Sequence, residues 1–138
     1  MIYYSFFYPL ESGVIVGMDP VADLYLLKGE AESISNGGSM IEIAKEHNTK
    51  VLLSIGGWDT SNNFPQVSAD PEKRAIFAHW CVKHIRDYGF DGIDIDWEFP
   101  GGDGASATGG DPVNDGPAYV ALMQELRAML DELSAETG

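Results

Sequence analysis

The chain has 138 residues, 44% of them hydrophobic, and a net charge of −14, a balance suited to a globular domain with a core. So acidic a chain repels phosphate backbones and anionic lipid, which argues against nucleic acid and membrane partners and suits a neutral or cationic substrate; the charge by itself is equally explained by solubility. The single cysteine, Cys81, excludes an intrachain disulfide and a cysteine-cluster metal site, and no apolar run is long enough to span a bilayer.

Ile2 to Tyr8 is aromatic and β-branched and is stopped by Pro9, which predicts a buried strand. The start lacks the basic flank and small-residue cleavage site of a signal peptide. Leu10 to Gly38 is read as a long, partly ordered loop. Within it Val14-Ile15-Val16 suits a short strand, and Asp23 to Leu27 a short helix or an extended piece. Ser39-Met40-Ile41-Glu42 fits a capping box and predicts a helix from about Met40 to His47. Lys50 to Ile55 is a second buried strand, ending in Gly56-Gly57-Trp58, where glycine permits a turn. Asp70-Pro71-Glu72 combines a cap, a first-turn proline and an acid near the positive helix end. Phe77, Trp80, Cys81, His84, Ile85 and Tyr88 follow at helical spacing, and Gly89 ends that helix.

Phe90 to Glu98 alternates strictly. Asp94, Asp96 and Glu98 take every second place, with Ile93, Ile95 and Trp97 between them. On a strand this puts three carboxyls on one side, roughly 6.5–7 Å apart, and three apolar groups on the other. Burying such a row without partners is costly, so it points to chemistry. Carboxyls held close and partly desolvated resist full ionisation, so at least one pKa should rise and the three should titrate together. A calcium loop of the EF-hand type needs irregular backbone and a glycine at its sixth place, which this alternation does not offer. Asp91 stands at the strand entrance, where a structural role is expected, and Trp97 points to the helix side. His47, His79 and His84 show no metal-like convergence. Residues 101–116 are rich in Gly, Asp and Pro and read as loop; Gly101-Gly102-Asp103-Gly104 is only a faint likeness to a calcium-binding repeat. The last helix starts near Asp115 to Pro117. Its apolar stripe is Tyr119, Leu122, Met123, Leu126, Leu130 and Leu133, with Gln124, Arg127, Asp131 and Glu132 facing away.

Alternating strands and helices, with strands apolar on both sides, predict a parallel sheet with crossover helices. Three such units do not close. The first and last strands are each expected to lack a neighbour, no other segment is suited to cover them, and self-association through those edges is expected. The segment therefore reads as part of a larger sheet or barrel. In parallel α/β folds sites gather where strands end, and Tyr4-Ser5-Phe6, Ser54 to Trp58 and Asp94 to Glu98 mark three such ends.

These residues resemble the family-18 glycoside hydrolases, the chitinases. Asp91, Asp94, Asp96 and Glu98 match the family's Asp-x-x-Asp-x-Asp-x-Glu strand. Ser54, Gly56 and Gly57 match its Ser-x-Gly-Gly strand, and Tyr4-Ser5-Phe6 resembles its aromatic strand. The resemblance implies a (β/α)8 barrel of about 250 residues or more, of which residues 1–138 form a partial catalytic domain covering strands two to four and their helices. Strand one, strands five to eight and a downstream substrate-holding tyrosine are not matched, so the segment by itself is expected to be inactive. The implied function is hydrolysis of β-1,4-linked N-acetylglucosamine polymers by substrate-assisted retaining catalysis, without metal or cofactor. Glu98 would protonate the glycosidic oxygen and later deprotonate water. Asp96 would orient the attacking acetamido group and stabilise the positive intermediate, Asp94 would share a proton with Asp96, and Ser54 would hold Asp94. Trp58 would stack on a sugar face, with Gly57, Phe6 and Tyr4 also on the substrate side; for both aromatic residues of the first strand the core is the competing place. Chitin or N-acetylglucosamine oligosaccharides are the implied ligands, and the complete parent is expected outside the cell. The alternatives are an endo-N-acetylglucosaminidase or peptidoglycan hydrolase of the same fold, or a chitin-binding lectin without hydrolysis. Such lectins typically lack the terminal Glu, and Glu98 is present.

Overall fold

The alternating aromatic run forms strand β1, Ile2–Pro9, and it is followed by a short strand β2, Ile15–Gly17. Then come helices α1, Pro20–Lys28, and α2, Met40–Glu46, strand β3, Val51–Gly56, and helices α3, Phe64–Ala69, and α4, Pro71–Tyr88. Strand β4, Gly92–Asp96, and helix α5, Asp115–Thr137, complete the order. The computed structural model describes residues 1–29, 38–102 and 109–138. Among them no helix is long and apolar enough to cross a membrane.

The sheet order is β2-β1-β3-β4. β1, β3 and β4 run parallel, as the sequence predicts, but β2 pairs antiparallel with the second half of β1, from Phe7 to Pro9. The expectation that nothing covers the first strand is therefore corrected: the turn after Pro9 lets the chain fold straight back, and β2 takes that edge. Among the described residues β4 pairs only with β3.

One expectation sharpens and one changes. In the stretch after Leu10 the short helix offered for Asp23 to Leu27 forms and is longer, running as α1 from Pro20 to Lys28 with a cap at each end. The Asp19 carboxylate accepts from the Val21 and Ala22 amides at 3.1 and 3.0 Å, Pro20 opens the first turn, and Gly29 closes the helix in the left-handed region. Residues 30–37 of that stretch lie outside the described residues, as do residues 103–108 of the later loop. In α5, Met123 is exposed, and Met129 packs on the core beside Tyr119 and Leu130. With 3.6 residues per turn, Met123 is rotated about 100° from Leu122 and leaves the face that Leu122, Leu126 and Leu133 bury.

α4 and α2 start as their caps predict. Asp70 accepts from the Glu72 and Lys73 amides, and Ser39 and Glu42 form a reciprocal capping box. The core lies between the sheet and α3, α4 and α5, with Leu53 and Ile55 from β3 and Phe64, Phe77, Cys81 and Leu122 from the helices. Each fully buried Leu or Phe there contributes about 1.5–3 kcal/mol. His84 is buried, with Nε2 3.1 Å from the Ile15 carbonyl and its ring stacked on Tyr88, while His47 and His79 are exposed.

Candidate active site

β3 and β4 set the site by register. Ser54 pairs with Asp94 and Gly56 with Asp96, while Leu53 and Ile55 pair with Ile93 and Ile95 on the core side. Adjacent parallel strands in register place paired residues on the same face, so Ser54, Asp94 and Asp96 share the face opposite the helices. The Ser54 hydroxyl donates to Asp94 Oδ2 at 2.7 Å. β4 ends at Asp96, but the alternation continues one step further. Trp97 is buried on the helix side, stacked on Phe64 with ring centroids 5.3 Å apart and edge-on to Tyr119 at 5.5 Å. Glu98 is thereby turned back to the acidic face. Desolvation, the charge of Asp96 and a hydrogen bond with Asp96 together raise its carboxyl above the ordinary glutamate value. The phenol of Tyr119 is likewise pushed up, first by burial and then by the charges of Asp94 and Asp96.

The turn after β3 is bound to this strand end. Gly56 has φ +117°, and a Cβ there would sit 2.3 Å from the Asp96 carbonyl oxygen, so only glycine fits. The Gly57 amide donates to the same carbonyl at 2.7 Å. Phe6 packs on Gly57 so closely that an added Cβ would lie 3.0 Å from its ring. Phe6 reaches that position through an irregularity in β1: Tyr4 pairs with Leu53 and Phe7 with Ile55, three residues set against two. Strict alternation would put Phe6 on the core face, and the extra residue puts Phe7 there instead. Trp58 is half exposed, and its ring meets the exposed Phe99 edge-on at 6.3 Å, beside Glu98.

Of the residues singled out in the sequence, the structure brings Ser54, Asp94, Asp96, Glu98, Gly57, Trp58 and Phe6 to one end of the sheet. Tyr4 it does not. Its ring is in the core between Phe7 and Phe90, and its hydroxyl donates to the buried Asp23 carboxylate at 2.6 Å. Burial, followed by the Asp23 hydrogen bond, raises the Tyr4 phenol. The structure adds Phe99 and Ser61 to this end. An aromatic next to the last acid is a sequence signal for Phe99. Ser61 stands in a polar stretch without periodicity, and its two partners on the acid strand are 35 and 37 residues away. Among the described residues no three His, Cys, Asp or Glu side chains gather in metal-holding geometry.

Known proteins resemble this chain in sequence and in fold. A family model described as "Glycosyl hydrolases family 18" matches residues 1–138. Chitinase A of Pseudoalteromonas piscicida is 57% identical over 90 residues, 64% of this chain and 11% of that protein. The chitinase of Autographa californica nuclear polyhedrosis virus is 47% identical over 98 residues, 70% of this chain and 17% of that protein. The chain thus spans less than a fifth of the length of these curated relatives. Among solved structures, the Group IV chitinase of Ostrinia furnacalis in complex with allosamidin superposes with a TM-score of 0.73 at 28% identity, over 94% of this chain and 32% of that one. The fold is mixed α/β, a segment of a chitinase-type (β/α)8 barrel. With the family model covering every residue, the chain belongs to glycosyl hydrolase family 18.

Proposed function

We propose that the complete protein hydrolyses β-1,4-linked N-acetylglucosamine polymers such as chitin, by a retaining, substrate-assisted mechanism. In this reading residues 1–138 are part of its catalytic domain, the remaining barrel strands are supplied by chain outside this segment, and the protein acts outside the cell. The observation that carries the reading is Glu98 beside Asp96 at the strand end, its carboxyl raised by desolvation and by that neighbour's charge. A raised carboxyl keeps its proton closer to working pH, as a general acid needs. Glu98 gives its proton to the glycosidic oxygen and then takes one from water. Asp96 faces the sugar's acetamido group and offsets the positive charge that forms. Asp94, held by Ser54 at 2.7 Å, lies behind Asp96. Exposed Trp58 and Phe99 offer aromatic faces to the apolar faces of the sugars.

The test is Glu98→Gln in a complete catalytic domain containing this segment, assayed on chitin oligosaccharides. Hydrolysis is expected to fall by about 10²–10⁴-fold or more, the usual share of a general acid, with oligosaccharide binding kept. Undiminished turnover would remove Glu98 from the acid role. Binding without cleavage by the unsubstituted domain would instead favour a lectin.

A further inference from the structure

We propose that Ser61 is a positioning residue for Glu98: its buried hydroxyl clamps the backbone on both sides of Trp97 and fixes where the acid's carboxyl stands against Asp96. The proposal rests on the reading of Glu98 as the acid. Ser61 is only 2% exposed. Its Oγ donates to the Gly57 carbonyl at 2.8 Å, has the Asp96 carbonyl at 3.2 Å within reach of the same proton, and accepts from the Glu98 amide at 3.0 Å. One hydroxyl thus binds the β3 turn and the end of β4 together, where the ladder between those strands has run out.

The ladder's last pair is Gly56 with Asp96, and the Gly57 amide extends it by one bond to the Asp96 carbonyl. Beyond that point, among the described residues, no strand residue is opposite Glu98. Its amide, an obligatory donor, is satisfied by a side chain from five residues past the end of β3. Ser54 holds the carboxylate of Asp94 directly; Ser61 holds the main chain from which Glu98 projects. Without the clamp, the Cα of Glu98 is free to move outward and its carboxyl leaves Asp96. The charge of Asp96 and the hydrogen bond with it, two of the three causes that lift the Glu98 carboxyl, then weaken. Asp96 is the charge that acts on Glu98; Asp94 is one step back on β4, Tyr119 is the titratable group facing these acids from α5, and Asp59 of the turn is exposed.

The experiment uses Ser61→Ala in a complete catalytic domain containing this segment. kcat is expected to fall by about 10–100-fold, as for a misplacement of the order of 1 Å, with KM for chitin oligosaccharides changed by less than about threefold. The alkaline limb of the kcat profile, which reports loss of the acid's proton, is expected to move to lower pH by about half a unit or more. A 13C NMR titration of the Glu98 carboxyl in the free protein should show the same displacement. Ser61→Thr keeps the hydroxyl and is expected to hold the original limb. Ser61→Cys fills the same volume but hydrogen-bonds weakly, and it is expected to track Ser61→Ala even where the alanine variant folds poorly. Original kcat per folded molecule and an original Glu98 midpoint in the alanine or cysteine variant, with only Tm lowered, would overturn the proposal. If the unsubstituted domain cleaves nothing, the chitinase reading fails, and the Glu98 titration still decides the role of Ser61.

Discussion

The two ends of the β4 segment each carry a carboxylate, and they are held in opposite ways. At the entrance, Asp91 accepts from Lys50 Nζ at 2.7 Å and from the Val51 amide at 2.9 Å, and its own amide donates to the Val51 carbonyl at 2.8 Å. Burial opposes its ionisation, but these bonds and the Lys50 charge outweigh it and hold the carboxyl below the usual aspartate value. At the exit, Glu98 has an acid for a neighbour and is raised instead. The entrance carboxylate is matched with donors and stabilises the register. The exit carboxyl is set against a like charge, the setting the proposed acid role calls for. A shared motif spacing therefore joins two carboxyls with opposite surroundings.

The contrast can be broken at the exit first. Gly56→Ala puts a methyl 2.3 Å from the Asp96 carbonyl at a φ of +117°, and the acid strand must shift. Backbone strain and overpacking together predict a loss of about 2–5 kcal/mol, read by urea denaturation of a complete domain, with hydrolysis lost in parallel. Full activity at unchanged stability would show that the turn does not depend on glycine. At the entrance, Asp91→Ala leaves the fully buried Val51 with an amide lacking its acceptor. About 1–3 kcal/mol of stability should go, while kcat per folded molecule stays. A lowered kcat at constant folded fraction would give Asp91 a part in the chemistry.

The smallest effect sharpens the comparison through pH. Asp91 titrates lower in the folded chain, so its contribution is present above the ordinary aspartate value and is lost as pH falls through its lowered folded value. Glu98 titrates higher when folded, so it favours the folded state at low pH, and that advantage is lost as pH rises from the ordinary glutamate value through the raised one. Asp91→Asn should flatten the acid side of the stability–pH curve, and Glu98→Gln should remove a decline just above the ordinary glutamate range. Identical curves for both variants and the parent would mean that neither group is shifted by folding.

Much of this was legible from the residues. The Ile93-Asp94-Ile95-Asp96-Trp97-Glu98 alternation, the Ser39 capping box and the Asp70-Pro71 start each carry a local signal, and each forms the element it predicts. Asp19-Pro20 carried the same start signal as Asp70-Pro71, but α1 lacks an apolar stripe: only Asp23 and Leu27 are buried, and Val21, Leu24, Tyr25 and Leu26 are exposed. Without periodicity behind the cap, this stretch reads only as a short helix or an extended piece from Asp23 to Leu27. β2 is three residues long and depends on β1 for its pairing. Phe6 stands beside the site only through the irregularity in β1, and Tyr4, paired with Leu53 on the core face, meets Asp23, a partner 19 residues away.

Alternation, caps and spacing follow from bond geometry within a few residues, so the amino-acid order alone set out the parallel strands, their helices and the acidic face. Which side chains meet across distant segments is a matter of packing, and only the folded chain settled that Ser61 reaches Glu98 and that Tyr4 turns away. Local chemistry chooses the elements; the close packing of sheet against helices and turns decides which of their groups can touch.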